Sequence, residues 1–403
     1  MTIPGPPPVQ GHPDLTPAWV IFGLAMGPAV ALGLGRFAYA LLLPPMRADL
    51  GWNFAQAGAL NTANAAGYLI GAVFAAPVGR RMGDKRVFAI SLALAALAVG
   101  ASGLTADYMA LLTLRVVAGF TGALGFVCGA GLASAAAMGG SKHRAPTLLG
   151  IYFAGAGIGI TASALAVPPL LGRVGWRGGW LVLGALALAA TAFGCLALRR
   201  APEPSYPAAG NAPARWSPRF MACTLVAYGL FGAGYIAYAT FIIAYLRSAE
   251  GFSGGGVTRF WSLFGLSSVA AAFAWGRILG QLKGGWGTSA TLSVLTVGAA
   301  APLLWTTPAG AYLSALLFGG SFLAVLAAVA SFARRALKAH AVTGAIGTLT
   351  VVFGIGQCIG PVLSGALADG PSGLKAGLWL SVGILAVGAV VAAFQHEPAE
   401  QRG

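Results

Sequence analysis

Two arginines lie where the surrounding sequence is hydrocarbon-like. Arg36 falls within GLGRFAYALLLPPM and Arg115 opens RVVAGFTGALG, each inside an apolar run long enough to cross a bilayer. At the helical rise per residue, Arg36 is about 9 Å and Arg115 about 11 Å from the end of its run. A guanidinium at that depth costs from ~3 to more than ~10 kcal/mol if nothing answers it. It carries five N–H donors in a planar fork and cannot shed its proton, so a carboxylate or phosphate held through two parallel hydrogen bonds is its natural counterpart. None of the nine acidic residues falls mid-run. Asp14, Asp84, Glu203, Glu397 and Glu400 flank the runs on one side, and Asp49, Asp107, Glu250 and Asp369 lie in or beside the connections on the other. The pattern points to an anion brought from outside the protein. Two structural alternatives stand beside it: Arg36 reaching Asp49 or Asp107, and Arg115 satisfying backbone carbonyls.

Further polar groups share faces of the same runs. Asn61, Asn64 and Tyr68 follow a three-then-four spacing. Tyr228, Tyr235, Tyr238 and Tyr245 fall within about 100° of arc on one helix. Thr343, Thr350 and Gln357 recur every seven residues on another. Tyrosine joins an apolar body to one hydroxyl, which suits a partly wet wall. Tyr39, Asn61, Asn64, Tyr68, Tyr152, Tyr235, Tyr238 and Gln357 therefore join Arg36 and Arg115 as candidate substrate contacts. The asparagines serve interhelical hydrogen bonding equally well, and Tyr245 fits an interfacial belt. GAGIG from Gly155 and GIGQCIG from Gly354 place small residues where helices can approach closely. GAGIGI follows no strand, so it is no dinucleotide loop.

Enzymatic chemistry finds no residue set. The four cysteines, Cys128, Cys195, Cys223 and Cys358, lie in apolar runs without metal-ligand spacing. His12, His143, His340 and His396 lie in tails or connections. No paired carboxylates and no Ser/His/Asp set occur, so neither an enzyme nor a cofactor or metal is expected.

The elements that hold these groups follow from composition. Apolar residues make up 58% of the 403-residue chain and charged residues only 8%, against about 25% in soluble domains. Too few charges remain to cover a water-facing surface, so the chain is an all-α integral membrane protein. Its net charge of +15 reads as topology and lipid contact rather than nucleic-acid binding. Twelve apolar segments are expected, six in residues 18–198 and six in 219–395. A Pro-, Ala- and charge-rich linker at 199–218 separates them, with tails at 1–17 and 396–403. The first tail has no Lys or Arg and does not read as a secretory signal. Sixteen of the 24 Lys and Arg residues fall on the side of the tails and linker, and six on the other. This asymmetry puts both termini and the linker in the cytoplasm. The halves echo each other at an offset of about 200, as in RADLGW and RSAEGF or Trp180 and Trp379, a parallel repeat suited to rocking about a central site.

APVGRRMGDKRVF resembles the loop signature of the major facilitator superfamily. Arg81, Gly83, Lys85 and Arg86 match it, while Arg80 stands at the usual Asp and Asp84 at a usually basic position. Arg115 with Gly119 resembles the fourth-helix motif, and GWRGGW from Gly175 the start of the sixth helix. The opening stretch resembles the YbfB/YjiJ-like bacterial permeases. The resemblance implies twelve helices in two halves, a gate formed by Arg80, Arg81, Gly83, Asp84, Lys85 and Arg86 with an altered latch, and a cavity faced by the helices carrying Arg36 and Arg115. It implies a secondary transporter of the bacterial cytoplasmic membrane. With the charge pattern, the expectation is a monomeric carrier of a small organic anion, by proton symport or anion exchange, in contact with membrane lipids. Efflux of amphipathic or toxic compounds and a non-transporting membrane sensor or binding protein are the alternatives.

Overall fold

The computed structural model describes residues 18–138, 145–204 and 217–397. Asp14, Glu400, His12, His143 and most of the linker lie outside them. Every regular element among the described residues is helical: α1 (Ala18–Leu50), α2 (Phe54–Met82), α3 (Asp84–Ala101), α4 (Tyr108–Met138), α5 (Ala145–Leu198), α6 (Pro218–Ser248), α7 (Gly254–Gln281), α8 (Trp286–Leu304), α9 (Pro308–Ala336), α10 (Ala339–Ala368) and α11 (Gly373–Ala393). Ten helices are long and apolar enough to cross a membrane, with Ala145–Leu198 taken as one. That run breaks at Gly175, whose φ of +63° an L side chain rarely adopts. The connection between the last two of the six segments expected in residues 18–198 is thus reduced to one glycine. Leu97, Leu165, Val226, Leu316 and Val390 are exposed, which suits a surface solvated by lipid.

One end of the bundle, here the tail face, carries residues 18, 204, 217 and 397. Glu203 accepts from the Lys85 amide there, the Arg200 guanidinium lies over Trp19, and Arg335 pairs with Glu397 at 3.2 Å. The opposite end, the far face, joins the starts of α2, α4, α7, α9 and α11.

Small residues set the spacing of the core. Gly155 and Gly159 of α5 press on the backbone of α1 at Ala25 and Ala29. Gly356 and Gly360 of α10 press in the same way on α6 at Gly229 and Ala233. At all four positions an added Cβ would lie within 3.0 Å of a backbone oxygen. The closely packed reading of GAGIG and GIGQCIG is therefore the observed one. Across the bundle, α2 packs on α10 and α5 on α7, which joins the part of the chain before the linker to the part after it.

Gly159→Ala and Gly360→Ala should each lower stability by about 1–3 kcal/mol through forced backbone shifts. Gly172→Ala and Gly383→Ala, where nothing lies within 4 Å, should be near neutral. Thermal unfolding of purified protein in detergent measures both pairs.

Candidate functional site

Helix α1 is not regular where it carries Arg36. Residues Ala29–Phe37 form a π-helix, closed by the Ala38 amide bonding to the Gly33 carbonyl five residues back. Such wide turns recur at functional sites because they re-aim side chains. Here Arg36 Nη2 donates to Gln357 Oε1 of α10 at 3.1 Å. The Tyr68 ring of α2 covers the guanidinium, with Cζ 5.1 Å from the ring centroid. Gln357 Nε2 donates in turn to the Tyr235 hydroxyl of α6. Arg36, Tyr68, Tyr235 and Gln357 thus converge from four helices and from both sides of the linker. Tyr235 stacks on Phe231 and Phe353 at centroid separations of 4.6 and 5.7 Å, and Phe322 of α9 extends the wall to Phe37. Arg36 is 2% exposed, and its Nε has no hydrogen-bond partner.

Arg115 occupies a separate setting within α1, α4 and α5. Its Nη1 donates to the Gly35 carbonyl at 2.8 Å, and its Cζ lies 4.4 Å from the Trp180 ring centroid. Tyr39 stacks on that same indole, and its hydroxyl donates to the Ala57 carbonyl. Asn64 donates to the Arg115 carbonyl. Nε and Nη2 of Arg115 have no partner, and the residue is 1% exposed. Arg115 therefore satisfies a backbone carbonyl and steadies the chain beside Arg36. Neither distal aspartate takes either guanidinium: Asp49 accepts from Trp176 Nε1 at 2.7 Å, and Asp107 Oδ1 caps α4 at the Ala110 amide.

The remaining candidates disperse. Asn61 donates to Thr240 Oγ1 of α6 at 2.6 Å, between the Arg36 cluster and the far face. Tyr152 donates to the Phe126 carbonyl, away from Arg36. Tyr238 pairs with Ser314 of α9, so the α6 tyrosines do not share one environment. In the tail-face motif, Arg80, Arg81 and Arg86 are exposed and Gly83 turns the chain at φ +83°. Lys85 is half-buried and presents its amide to Glu203. Asp84 is fully buried, with the Cys128 thiol against it.

A carboxylate the sequence had assigned only to a connection joins α10 to α2 at the far face. Asp369, at the end of α10, accepts from the amides of Phe54 and Ala55 at 2.7 and 3.0 Å. Asn53 takes the Gln56 amide, so the first three donors of α2 are all satisfied. A carboxylate at this position also meets the positive end of the helix dipole. Below it, Gly365 meets the Phe54 carbonyl, Gly58 meets the Pro361 carbonyl, and Thr62 donates to the Cys358 carbonyl. Thr240, Ser314, Phe322 and Asp369 are the contributors that helical periodicity did not single out. The only available signal was the acidic residue of Asp369 just past a helix end.

Asp369→Ala should free two amides and loosen the α2–α10 seam by about 1 kcal/mol, since the pair is exposed. Hydrogen exchange at Phe54 and Ala55 should rise roughly fivefold, with exchange in α8 unchanged.

Comparison with known proteins accords with this architecture. A family described as uncharacterised MFS-type transporter YbfB matches residues 28–393. A chloramphenicol resistance protein of Streptomyces lividans is 28% identical over 374 residues, 90% of this chain and 92% of that one. A Haemophilus influenzae protein assigned by name to metabolite transport is 32% identical over 160 residues, so this chain spans only 39% of its length in the match. Among solved structures, a variant of the nucleoside transporter NupG superposes with a TM-score of 0.73 at 16% identity, covering 93% of this chain and 98% of that one. A bacterial homologue of the human lysosomal transporter Spinster, inward-facing and occupied, gives 0.71 at 16% identity, covering 95% and 99%. At those identities the superpositions speak for the fold, while the family match extends over nearly the whole chain. With a multi-helix apolar bundle and a polar cluster buried in its core, the chain belongs to the YbfB-type family of major facilitator transporters, a family of carriers rather than enzymes.

Proposed function

We propose that this protein is a secondary transporter that moves a small organic anion with an apolar or aromatic body across the bacterial cytoplasmic membrane by alternating access. The fold is read as twelve spans in two halves of six, with the Ala145–Leu198 run divided at Gly175 and α3 added to the ten. The repeated glycine contacts of α5 on α1 and α10 on α6 support that division. The excess of Lys and Arg beside the tails and linker supports a cytoplasmic tail face. On that orientation the far face, where Asp369 of α10 caps α2, is outside. The protein acts as a monomer and draws on lipid only as solvent.

The observation that carries the anion reading is the pairing of Arg36. Its bonded partner is a neutral amide, its Nε has none, and every described acidic residue lies at a bundle end. A carboxylate arriving beside Gln357 would meet the unpaired Nε and could take over Nη2, both charge-assisted donors. The Tyr235, Phe231 and Phe353 stack gives the body of such a solute a flat apolar wall. With no titrating carboxylate in the core among the described residues, the solute carries its own proton or exchanges for another anion to complete the cycle. A second reading, efflux of neutral aromatic compounds, draws on the same wall and on the name of the Streptomyces relative.

Thermal stabilisation and proteoliposome flux with a panel of aromatic and aliphatic carboxylates test the assignment. Carboxylates should stabilise the wild type, and Arg36→Gln should weaken their binding about 10- to 100-fold. A response confined to neutral compounds such as chloramphenicol, unchanged by Arg36→Gln, would transfer the function to efflux. Binding with no flux under any gradient would favour a sensor.

A further inference from the structure

The connection between α6 and α7 holds a carboxyl that the Arg36 site does not use. Glu250 is partly exposed as a residue, yet both its carboxyl oxygens are buried and neither has a hydrogen-bond partner. The loop that holds it is fixed: the Phe252 amide bonds to the Leu246 carbonyl at 3.0 Å, Gly251 turns at φ +64°, and Ser253 caps α7 at the Gly256 amide. The titratable groups near the carboxyl are the hydroxyls of Tyr238 and Tyr245 on α6, which feel its charge but donate to neither oxygen. Tyr312 of α9 packs on Phe252 of the same loop, at a centroid separation of 6.1 Å. The neighbouring cations in sequence, Arg247 and Arg259, are exposed and bond to neither oxygen. An ionised carboxylate enclosed without a donor is costly, and protonation removes the cost.

This loop also lies at the far face, between α1 and α5. Ser248, just before it, lines a cleft of about 180 Å³ with Pro44 and Arg47 of α1. Gly254, just after it, faces the Pro168 carbonyl of α5. Parting of the chain segments at the far face would uncover both flanks and admit water to the loop between them.

We propose that Glu250 is a proton-binding site that gates the far face: its carboxyl takes up a proton when that face closes and releases it when the face opens. Burial pushes the carboxyl up to about 7 in the closed arrangement, against 4.5 for the ordinary group. The sign follows from the raised value. Closure is unpenalised below the ordinary value, weakens as pH rises through about 7, and above that bears the desolvation of an anion. Between about pH 5 and about pH 8 the closed-to-open ratio should fall by at most about 70-fold, the solvent-exposed part of the residue reducing it. The proposal rests on alternating access but not on the nature of the solute.

The test is a spin-label distance across the far face, between Cys introduced at exposed Ala48 and Ser372, with the four native cysteines replaced by Ser and no solute present. The wild-type background should shift from short to long distance as pH rises from about 5 to about 8. Glu250→Gln, which mimics the protonated form, should remain short throughout. A wild-type distance that ignores pH, or a Glu250→Gln variant that titrates as the wild type does, overturns the proposal. Should Glu250→Gln not fold, the infrared carboxyl band of wild-type protein decides. A protonated carboxyl persisting at about pH 6 is expected, and its absence refutes the site. Because no solute enters, failure here leaves the Arg36 binding result standing.

Discussion

A guanidinium enclosed where hydrocarbon should be is the constraint that organises this protein. Arg36 cannot neutralise itself, so the bundle must supply acceptors or leave donors unsatisfied. It supplies one amide oxygen, from Gln357, and the face of Tyr68. The choice of an amide matters. A built-in carboxylate would form a pair whose breakage costs about 3–5 kcal/mol, and that pair would compete with any incoming anion. A neutral amide gives a weaker bond, which a charged solute can replace or supplement. Tyr235 holds the same amide from its other end, so the oxygen stays aimed at Arg36.

The acidic residues are placed consistently with that constraint. Each of the described ones lies at a bundle end: Asp49 on Trp176, Asp107 and Asp369 on helix starts, Asp84 and Glu203 near the turn after α2, Glu397 on Arg335, and Glu250 in the α6–α7 connection without a donor. The loop signature after α2 has Arg80 where a latch aspartate would stand. On the opposite face, Asp369 caps α2 from α10. A carboxylate that ties the two parts of the chain together is found at the far face. This is consistent with a structure that is sealed there.

Much of this was legible in sequence, and the limits have physical causes. Long apolar runs make helices readable, and the isolated charges made Arg36 and Arg115 stand out. Spacing assigns a residue to a face but not to a neighbour. Asn61 and Asn64 lie three apart, yet one bonds across the seam to Thr240 and the other to the Arg115 carbonyl. Tyr235 and Tyr238 have the same spacing, and only Tyr235 reaches the Arg36 cluster. The bond between Arg36 and Gln357 spans 321 positions, beyond any local pattern. The π-turn leaves the apolar pattern intact, so composition does not reveal it. Pro44 and Pro45 lie within α1 a few residues before its end at Leu50, and Pro168 and Pro169 lie within α5 a few residues before its break at Gly175. Trp180 and Trp379 match in the repeat, yet Trp180 is buried over Arg115 while Trp379 is exposed. Repeat symmetry preserves the helix and not the chemistry of the position.

The cluster and the seal are carried on the same two helices. Helix α2 brings Tyr68 to Arg36 and ends at the amides that Asp369 caps. Helix α10 brings Gln357 to Arg36 and, about 18 Å further along at the helical rise, ends in Asp369 itself. Between these points the pair is held by backbone contacts at Gly58 and Gly365, which tolerate little separation before they are lost. A close-packed interface of this kind has discrete arrangements rather than a continuum. Parting of α2 from α10 at the far face would move Tyr68 and Gln357 relative to Arg36. A solute that takes over the donors of Arg36 acts, in turn, on the anchor of Gln357. If Arg36 binds the solute as proposed, occupancy and far-face closure would be coupled through this shared pair of rigid elements, with no separate pathway between them.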